Sequence, residues 1–511
     1  MIILWLILIV VTLLRILIAS MGHLNEVEAY LLLCSQHLDW GFVEGPAGVP
    51  ALLRVSSYFF GSAVGSVRFL APLMMLLASF FLGSLAKSLR GEKVAWWTVI
   101  AFNVLPLANA ASLVMEGTMA MTLLWIASVT SAWTILSTQS GKNKMLNWVV
   151  FGAILGIGTQ VTYEVGWLLP VVVIGQLIRQ RDKSNFLGAL TALMLLFLGW
   201  VGPLWWNMHH DWLQWSGMTW DSFWSWSLPS LNLFSSSPLL WNLPLVIPFL
   251  ILGFYNFIPW RKQSKKSAQG RFLFLVLVPL FFYCENVGHN QPGFELLLGI
   301  TALLLPGAVD FCLKTSWMRR IGMIVLLVIG CFSVAFSAGF FPRLASVEAL
   351  WGFPSARGVK GVQAVSVKLL RLRATKLDAA GHAPFLIAQT PGLAALLGRM
   401  LPIKYPEMKE APSVFIPESQ AFTSQCFLWP HYADALSVAT IDPLYTEEKV
   451  TSPFLGHNAL YITTEPIEDL PQTIQGAFTA VTLIDEVTLD NEGQPQQLFI
   501  YWCENYQMMA L

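Results

Sequence analysis

Long apolar blocks fill positions 1–340 of the chain, and this feature constrains its fold more than any other. A block of about 20 apolar residues is long enough to cross the roughly 30 Å hydrocarbon core of a bilayer. Charged and polar sequence dominates after position 340, which divides the chain into a membrane half and a water-soluble half. Charged residues make up 12% of the chain, against about 25% in a typical soluble domain.

We predict a polytopic α-helical membrane protein with about eleven transmembrane helices over residues 1–344, followed by a soluble α/β domain over residues 345–511. The candidate spans lie near residues 2–20, 57–84, 95–112, 119–138, 147–160, 166–178, 186–205, 239–259, 272–284, 294–313 and 321–340. The first block lacks the basic start and the cleavage site of a signal peptide, so we expect a retained helix. Its central Arg15 either faces the protein interior or reaches the interface.

The distribution of basic residues predicts the orientation. Lysine and arginine follow the second, fourth, sixth, eighth and tenth spans. The loops on the other side contain neither residue; they are 113–118, 161–165, 206–238 and 285–293. The positive-inside rule therefore predicts a cytoplasmic N-terminus and an extracytoplasmic C-terminal domain. A formal net charge of zero, without a basic patch, argues against nucleic acid as a partner.

Acidic, amide and imidazole side chains collect in the predicted outer loops. The first outer loop (21–56), the long outer loop (206–238) and a short turn contain Asn25, Glu26, Glu28, Glu44, Asn207, His210, Asp211 and Glu116. Such groups at one face of an apolar bundle indicate a site at the membrane surface, although acidic residues also populate outer loops without any site. The tryptophans of the long loop favour an interfacial belt. Acidic residues at the rim rather than mid-membrane argue against a transporter.

The C-terminal half has mixed secondary-structure signals. Strand patterns occupy residues 383–388, 413–416, 459–462 and 497–502, and helical patterns occupy residues 361–374 and 390–400. No glycine-rich phosphate loop or metal-ligand spacing is present, so neither a metal nor a cofactor is expected. Cys426 and Cys503 either form an extracytoplasmic disulfide or remain free.

Several of these segments resemble the GT-C fold glycosyltransferases, specifically the bacterial branch near protein O-mannosyltransferases and the lipid A aminoarabinose transferase. Glu28-Ala29-Tyr30 matches the E-A-Y of the family's first outer loop, and Glu44 falls at the aspartate of its D-H-P-P motif. Further similar segments, in the family's order, are Arg68–Leu70, Asn207–Trp212, Asn290–Gly293, Phe385–Ala388 and Ser424–Trp429.

The resemblance implies an inner-membrane, multi-pass enzyme. Such enzymes take a sugar from a polyprenyl-phosphate donor and pass it, with inversion, to an extracytoplasmic lipid, glycan or protein. The lipid-linked sugar is a co-substrate, and no other cofactor is implied. By this resemblance Glu28, Glu44 or Glu26 supplies the general base, and Arg54 and Arg68 lie near the donor phosphate. Asn207, His210, Asp211 and Glu116 then belong to the substrate loops.

The sequence departs from the family pattern where catalysis is concentrated. Val27 replaces the aspartate that usually acts as the general base, and Gly45 replaces a histidine. Thr118 stands at an aspartate position of the family, and Thr162 stands at a lysine position. A rearranged active site and an inactive homologue that serves as a lipid-binding or scaffold subunit are therefore both hypotheses.

Individual candidate residues also have structural interpretations. The spacing Asn25-x-x-Glu28 is typical of a capping box. Glu116 fits a helix cap, and Arg68 fits a pair with a carboxylate across the bundle. His210 and Asp211 fit an anchor for the long loop.

Overall fold

The computed structural model describes most of the chain. The described residues are 2–137, 144–179, 183–215, 294–337, 357–378, 381–406, 408–419, 422–434, 437–438, 450–491 and 494–507. Two compact units make up the fold. The helical unit comprises Met1–Met21, Leu38–Gly41 and Gly45–Ala356, and the α/β unit comprises Gly22–His37, Phe42–Glu44 and Arg357–Leu511.

Apolar α-helices build the helical unit. The helices in chain order are α1 (Ile2–Ser20), α2 (Glu26–Gln36, in the α/β unit), α3 (Gly48–Phe60), α4 (Val64–Arg68), α5 (Leu70–Arg90), α6 (Glu92–Val104), α7 (Pro106–Ala111), α8 (Thr118–Ser137), α9 (Lys144–Gly158), α10 (Leu168–Arg179), α11 (Lys183–His209), α12 (Phe294–Leu313) and α13 (Ser316–Ser337). A short hairpin follows α2, with strands β1 (Gly41–Phe42) and β2 (Gly45–Pro46). By length and composition, four stretches in the described part of the chain can cross a membrane: Ile3–Ser20, Val64–Arg90, Thr118–Ser137 and Ser184–His209.

Most predicted spans that fall in described residues coincide with helices, but two are interrupted. The span predicted at 57–84 fails at Gly61, whose φ of +78° ends α3, and the apolar stretch runs instead over Val64–Arg90. The span predicted at 95–112 breaks at Leu105, because Pro106 disfavours helical backbone in the residue before it and starts α7. The spans predicted at 239–259 and 272–284 lie outside the described residues.

Arg15, the cation within the first span, faces the protein interior. Its side chain donates to Asn109 Oδ1 at 3.1 Å, and to Asn103 through the side-chain Oδ1 at 2.8 Å and the backbone carbonyl at 2.9 Å. These three hydrogen bonds compensate the guanidinium for the loss of water, since an unpaired cation in this setting would be costly. The alternative, that Arg15 reaches the interface, is wrong.

Helices α9 and α11 approach each other so closely that glycine is required at the contact. A Cβ on Gly199 would lie 2.6 Å from Thr159 Oγ1 and 2.7 Å from the Gly156 carbonyl carbon. Gly152 has the same constraint, because its Cβ would lie 2.5 Å from Ala192 Cα. Small residues at such positions let helix backbones pack in van der Waals contact, which stabilises helix pairs in membranes.

The α/β unit is built on a mixed five-stranded sheet. Its strands are β3 (Val359–Lys360), β4 (Phe385–Ala388), β7 (Ala459–Thr463), β8 (Phe478–Asn491) and β9 (Gln494–Tyr506), in the order β3-β8-β9-β7-β4. Strands β4 and β7 are parallel, and the other neighbours are antiparallel. Its further elements are α14 (Val362–Thr375), α15 (Pro391–Met400), α16 (Gln472–Gln475) and a small ribbon of β5 (Ser437–Val438) and β6 (Val450–Thr451).

The predicted elements of the C-terminal half correspond closely to observed ones, with one exception. The patterns at 383–388, 459–462 and 497–502 fall on β4, β7 and β9, and the two helical patterns fall on α14 and α15. Residues 413–416 contribute only an isolated bridge from Phe415 to Ile387. Cys426 and Cys503 are both buried free thiols, so the disulfide interpretation is wrong.

The close contact between α9 and α11 yields a stability prediction. We expect Gly199→Ala to lower the melting temperature of the purified protein, because the added methyl overpacks the contact at a cost of about 1–3 kcal/mol. Gly299→Ala in α12 is the matched control. Its Cβ would meet Trp125 at an ordinary 3.9 Å. The gain in helix preference, about 0.5–1 kcal/mol, then leaves stability unchanged or raised. Equal melting temperatures for the two variants would contradict the packing account.

Candidate functional site

Glu44 is the candidate carboxylate of the α/β unit that is exposed and also held by hydrogen bonds from two different elements. Its Oε1 accepts a hydrogen bond from the Tyr30 hydroxyl and a second, at 3.1 Å, from the backbone N–H of Gln425. The Gln425 N–H is shared, since it also lies 3.1 Å from the Tyr30 hydroxyl oxygen. A side chain from α2 and a backbone group from the 3-10 turn Gln425–Leu428 therefore hold one carboxylate oxygen.

The same glutamine fixes the backbone beside Glu44. Gln425 Oε1 accepts a hydrogen bond at 3.1 Å from the backbone N–H of Val43, and Gln425 is itself buried. Phe42, one residue earlier, is also buried. The segment Phe42–Glu44 is thus held through both its backbone and its side chains, and this defines the position of the carboxylate.

The protein around Glu44 shifts the pKa of its carboxyl group. Crowding by protein atoms raises the pKa of the Glu44 carboxyl above its ordinary value, although the hydrogen bonds from Tyr30 and Gln425 partly oppose the shift. The residue nevertheless keeps solvent-exposed surface. A carboxylate with a raised pKa and an open side has the properties of a general base or acid.

Two buried thiols share this environment. Burial, together with the negative charge of Glu44, raises the pKa of Cys426 to about 12 and raises that of Cys34 well above its ordinary value. Both side chains therefore stay protonated at neutral pH, which makes them poor nucleophiles.

Glu26 is bound at the start of α15. Its Oε2 accepts a hydrogen bond at 2.9 Å from the hydroxyl of Thr390, which is the N-cap of α15 and accepts from Leu393 N–H at 3.1 Å. A Cβ on Gly392 would lie 2.5 Å from Glu26 Cβ, so glycine is needed where α2 packs on α15. Burial raises the pKa of Glu26, and the Thr390 hydrogen bond opposes that shift. Glu26 thus contributes to the packing of these two helices.

Glu28 serves the backbone of α2. Its carboxylate accepts from Asn25 N–H at 3.2 Å, and Asn25 Oδ1 accepts from Glu28 N–H at 2.8 Å, which is a complete capping box. The residue is fully buried. The capping interpretation is confirmed, and Glu44 is left as the exposed member of the three predicted carboxylates.

The two candidate cations belong to the helical unit and differ in exposure. Arg54, on α3, is exposed. Arg68, at the end of α4, is completely buried, and its Nη1 donates to the Ala19 carbonyl at 3.2 Å. Arg54 is therefore the one of the pair that is open to a phosphate in solution.

The segment after α11 is held by a hydrogen-bonded group in the same unit. Asn207 is fully buried, and its Nδ2 donates to the Pro203 carbonyl at 2.9 Å and to Gln214 Oε1 at 2.6 Å. Gln214 Oε1 also accepts from the Tyr163 hydroxyl at 3.0 Å, and Gln214 Nε2 donates to the Gly45 carbonyl at 2.9 Å. Asn207 and Gln214 thereby connect the end of α11 to two other segments that the sequence predicts as outer loops.

His210 and Asp211 occupy the turn that ends α11. The His210 ring stacks on the Trp206 indole at 4.2 Å, and its Nδ1 lies 2.8 Å from the Trp206 carbonyl. Trp206 Nε1 in turn donates to Asp39 Oδ2 at 3.1 Å. Asp211 has a φ of +50°, as a turn requires, and its side chain is exposed. These contacts agree with the anchoring interpretation. The rest of the predicted long loop, 216–238, lies outside the described residues.

The remaining sites are simpler. Glu116 is half-buried in the turn before α8, and Thr118, the first residue of that helix, is buried. Val27 is half exposed on α2, and Thr162 is buried. A group of possible metal ligands, Asp378, His382 and His457, occurs elsewhere in the α/β unit.

Sequence reasoning alone missed the residues that hold the candidates in place. Tyr30 and Gln425 lie inside the matched segments Glu28–Tyr30 and Ser424–Trp429, so the resemblance contained a signal that they matter. Thr390 and Gln214 lie outside the matched segments, and their contacts with Glu26, Gly45 and Tyr163 join residues far apart in the sequence.

Comparisons with known proteins show what this chain is similar to. Residues 44–206 match the model of the dolichyl-phosphate-mannose-protein mannosyltransferase family, and the match begins at Glu44. The lipid A galacturonosyltransferase RgtD of Rhizobium johnstonii is 27% identical over 185 residues, which are 36% of this chain and 38% of that relative.

Solved structures extend the likeness to nearly the whole chain. ArnT from Cupriavidus metallidurans in its apo state aligns with a TM-score of 0.62 at 12% identity, covering 97% of each chain. The same protein bound to undecaprenyl phosphate aligns with a TM-score of 0.57 at 13% identity over the same share. The chain is therefore a polytopic membrane protein with the GT-C fold of ArnT, and it resembles the GT-C glycosyltransferases, as its sequence predicted.

Proposed function

We propose that this chain is an inner-membrane glycosyltransferase that moves a sugar from a polyprenyl-phosphate donor to an extracytoplasmic lipid, glycan or protein. The family match over residues 44–206 and the fold of ArnT support the reaction class. RgtD is named for transfer to lipid A, and ArnT has been solved with undecaprenyl phosphate, which supports a lipid-linked donor. The absence of lysine and arginine from four predicted outer loops, 113–118, 161–165, 206–238 and 285–293, supports an extracytoplasmic site.

The observation that carries this proposal is the setting of Glu44. Glu28 is used in a capping box, and Glu26 is bound at the N-terminus of α15. Glu44 alone of the three is exposed, and it is held in a fixed position by Tyr30 and Gln425. Its raised pKa brings its basicity closer to that needed for proton transfer near neutral pH.

The proposed reaction is a single inverting displacement. Glu44 accepts the proton of the acceptor hydroxyl or amine while that atom forms a bond to the anomeric carbon. The bond between the anomeric carbon and the phosphate oxygen breaks, and the electron pair leaves with the polyprenyl phosphate. The family resemblance assigns Arg54 to the donor phosphate, where a guanidinium would offset that developing negative charge. The phosphate gains one negative charge as it leaves, and the Glu44 carboxylate loses one as it takes the acceptor's proton, so the total charge is unchanged.

An inactive homologue is the second candidate, and specific observations favour it. Val27 stands where the family has its basic aspartate, and a valine side chain cannot take up a proton. Arg68 is completely buried and donates to a backbone carbonyl of the protein itself. A lipid-binding or scaffold subunit of this kind would bind the donor without turning it over.

The role of Glu44 is tested by removing its charge without changing its size. We expect Glu44→Gln to reduce the rate of sugar transfer at least about 100-fold, because general-base catalysis contributes about 10²–10⁴-fold. The measurement is incorporation from radiolabelled polyprenyl-phosphate sugars by protein in nanodiscs, with a cell-envelope extract as acceptor.

Glu418→Gln is the matched control for that experiment. Glu418 is a buried carboxyl of the α/β unit that, like Glu44, accepts from a tyrosine (Tyr506, at 2.6 Å) and has a pKa raised by its surroundings. It has no assigned part in the reaction, so Glu418→Gln is expected to retain transfer. A loss of transfer in both variants, or in neither, would argue against Glu44 as the base.

The pH dependence of transfer provides an independent test. Because the pKa of Glu44 is raised above 4.5, its basic form is lost as the pH falls through that higher value. The acidic limb of kcat/KM should therefore lie above pH 4.5. Tyr30→Phe removes a hydrogen bond that lowers this pKa, so it should move the limb to still higher pH.

Tyr506→Phe is the control for the pH profile, because it removes the equivalent hydrogen bond from Glu418. We expect its acidic limb to coincide with that of the unmodified protein. A limb that stays in place in Tyr30→Phe would mean that another group titrates.

A further inference from the structure

Two loops of the α/β unit meet at one edge of its sheet. His382 lies just before β4, the edge strand, and His457 lies just before β7. The two strands are parallel, with Phe385 opposite Ala459, and Phe385 N–H donates to the Asn458 carbonyl at 3.1 Å. The strand register therefore brings the two histidines together, although they are distant in the sequence.

Both loops are fixed by backbone hydrogen bonds. In the first, Asp378 N–H donates to the His382 carbonyl at 3.0 Å, and Gly381 adopts a φ of +87°. In the second, His457 N–H donates to the Phe454 carbonyl at 2.9 Å, while its own carbonyl accepts from Tyr506 N–H at 2.9 Å. The side chains are thus presented from constrained backbone, which lowers the entropic cost of binding a ligand.

The three side chains lie close together and carry the kinds of atoms that bind transition metals. Asp378 Oδ2 lies 3.0 Å from His382 Nδ1, and the rings of His382 and His457 stack at 4.5 Å. One potential ligand atom from each of the three residues lies within 4.8 Å of the others. A tetrahedral zinc ion with bonds of about 2.0–2.1 Å holds its ligand atoms about 3.4 Å apart, so zinc binding requires the side chains to rotate and bring these atoms closer.

We infer that Asp378, His382 and His457 bind a zinc(II) ion at this edge of the sheet. Two imidazole nitrogens and one carboxylate oxygen favour zinc over magnesium or calcium, which prefer oxygen ligands alone. His382 is exposed, so an ion can reach the site from solvent and keep a coordination position open to water. Asp378 Oδ1 also accepts from the backbone N–H of His382 at 2.7 Å, which orients the carboxylate toward the ring.

A purely structural account explains only part of this group. An ion pair between Asp378 and His382 would stabilise the turn between them without any metal. That ion pair does not include His457, which comes from a separate loop and whose ring packs on His382 and on Phe454. Zinc binding uses all three side chains, so the contribution of His457 distinguishes the two accounts.

The test uses the full-length protein in nanodiscs, without a polyhistidine tag and after treatment with a chelator. Titration with zinc chloride against a chromophoric chelator should give one bound zinc per chain. We expect His382→Ala, His457→Ala and Asp378→Asn each to weaken zinc binding at least about tenfold. His209→Ala is the control, because that exposed histidine lies in the helical unit with its ring 2.8 Å from the Trp205 carbonyl.

A stability measurement separates loss of the site from loss of the fold. Zinc should raise the melting temperature of the unmodified protein and of His209→Ala, but not that of His457→Ala. The variants should melt like the unmodified protein when zinc is absent. No zinc binding by the unmodified protein, or equal binding by all four variants, would overturn the inference. Sugar transfer is not needed as a readout, so this result stands apart from that of the proposed function.

Discussion

The packing of α2 on α15 is the contact on which the candidate site depends. Glu26 and Thr390 join the two helices, and Gly392 leaves room for their close approach. Within the α/β unit, which includes Gly22–His37 of the first predicted outer loop, Tyr30 of α2 lies beside the turn that begins at Gln425. Glu44 then receives hydrogen bonds from both. A carboxylate held in this way keeps its position without needing a partner cation.

The same contacts explain how the departures from the family pattern are compatible with chemistry. Val27 removes one carboxylate from α2, and Glu28 is committed to the capping box. The neighbouring hairpin still presents an exposed carboxylate at Glu44, with a pKa raised by its surroundings. Catalysis by proton transfer requires a base of suitable pKa within reach of the acceptor, and its position in the sequence is secondary. In the proposed reaction the base is therefore Glu44 of the hairpin, and no residue of α2 is needed for that role.

Sequence patterns predicted the parts of the structure that depend on local order. Hydrophobic length located helices such as α8 and α12, and short apolar runs located β4 and β7. Hydrophobic length did not reveal that α3 ends at Gly61, because apolar residues occur on both sides of that glycine and its φ of +78° leaves no trace in hydrophobicity. The capping box of Glu28 was predicted because both partners lie within one turn. The Gln425, Thr390 and His457 contacts were not, because the partners come together only in the folded sheet and helices.

The proposed function requires that the chain turn over a lipid-linked sugar, and sugar release from the donor is the simplest test of it. The measurement is the time course of sugar release from a radiolabelled polyprenyl-phosphate sugar by the unmodified protein in nanodiscs, with empty nanodiscs as the reference. We expect the released sugar to rise linearly with time and to exceed one sugar per protein molecule. Slow transfer of the sugar to water, when acceptor is omitted, also counts as turnover. Stoichiometric donor binding with no release across several sugars would contradict this expectation and would favour the inactive homologue.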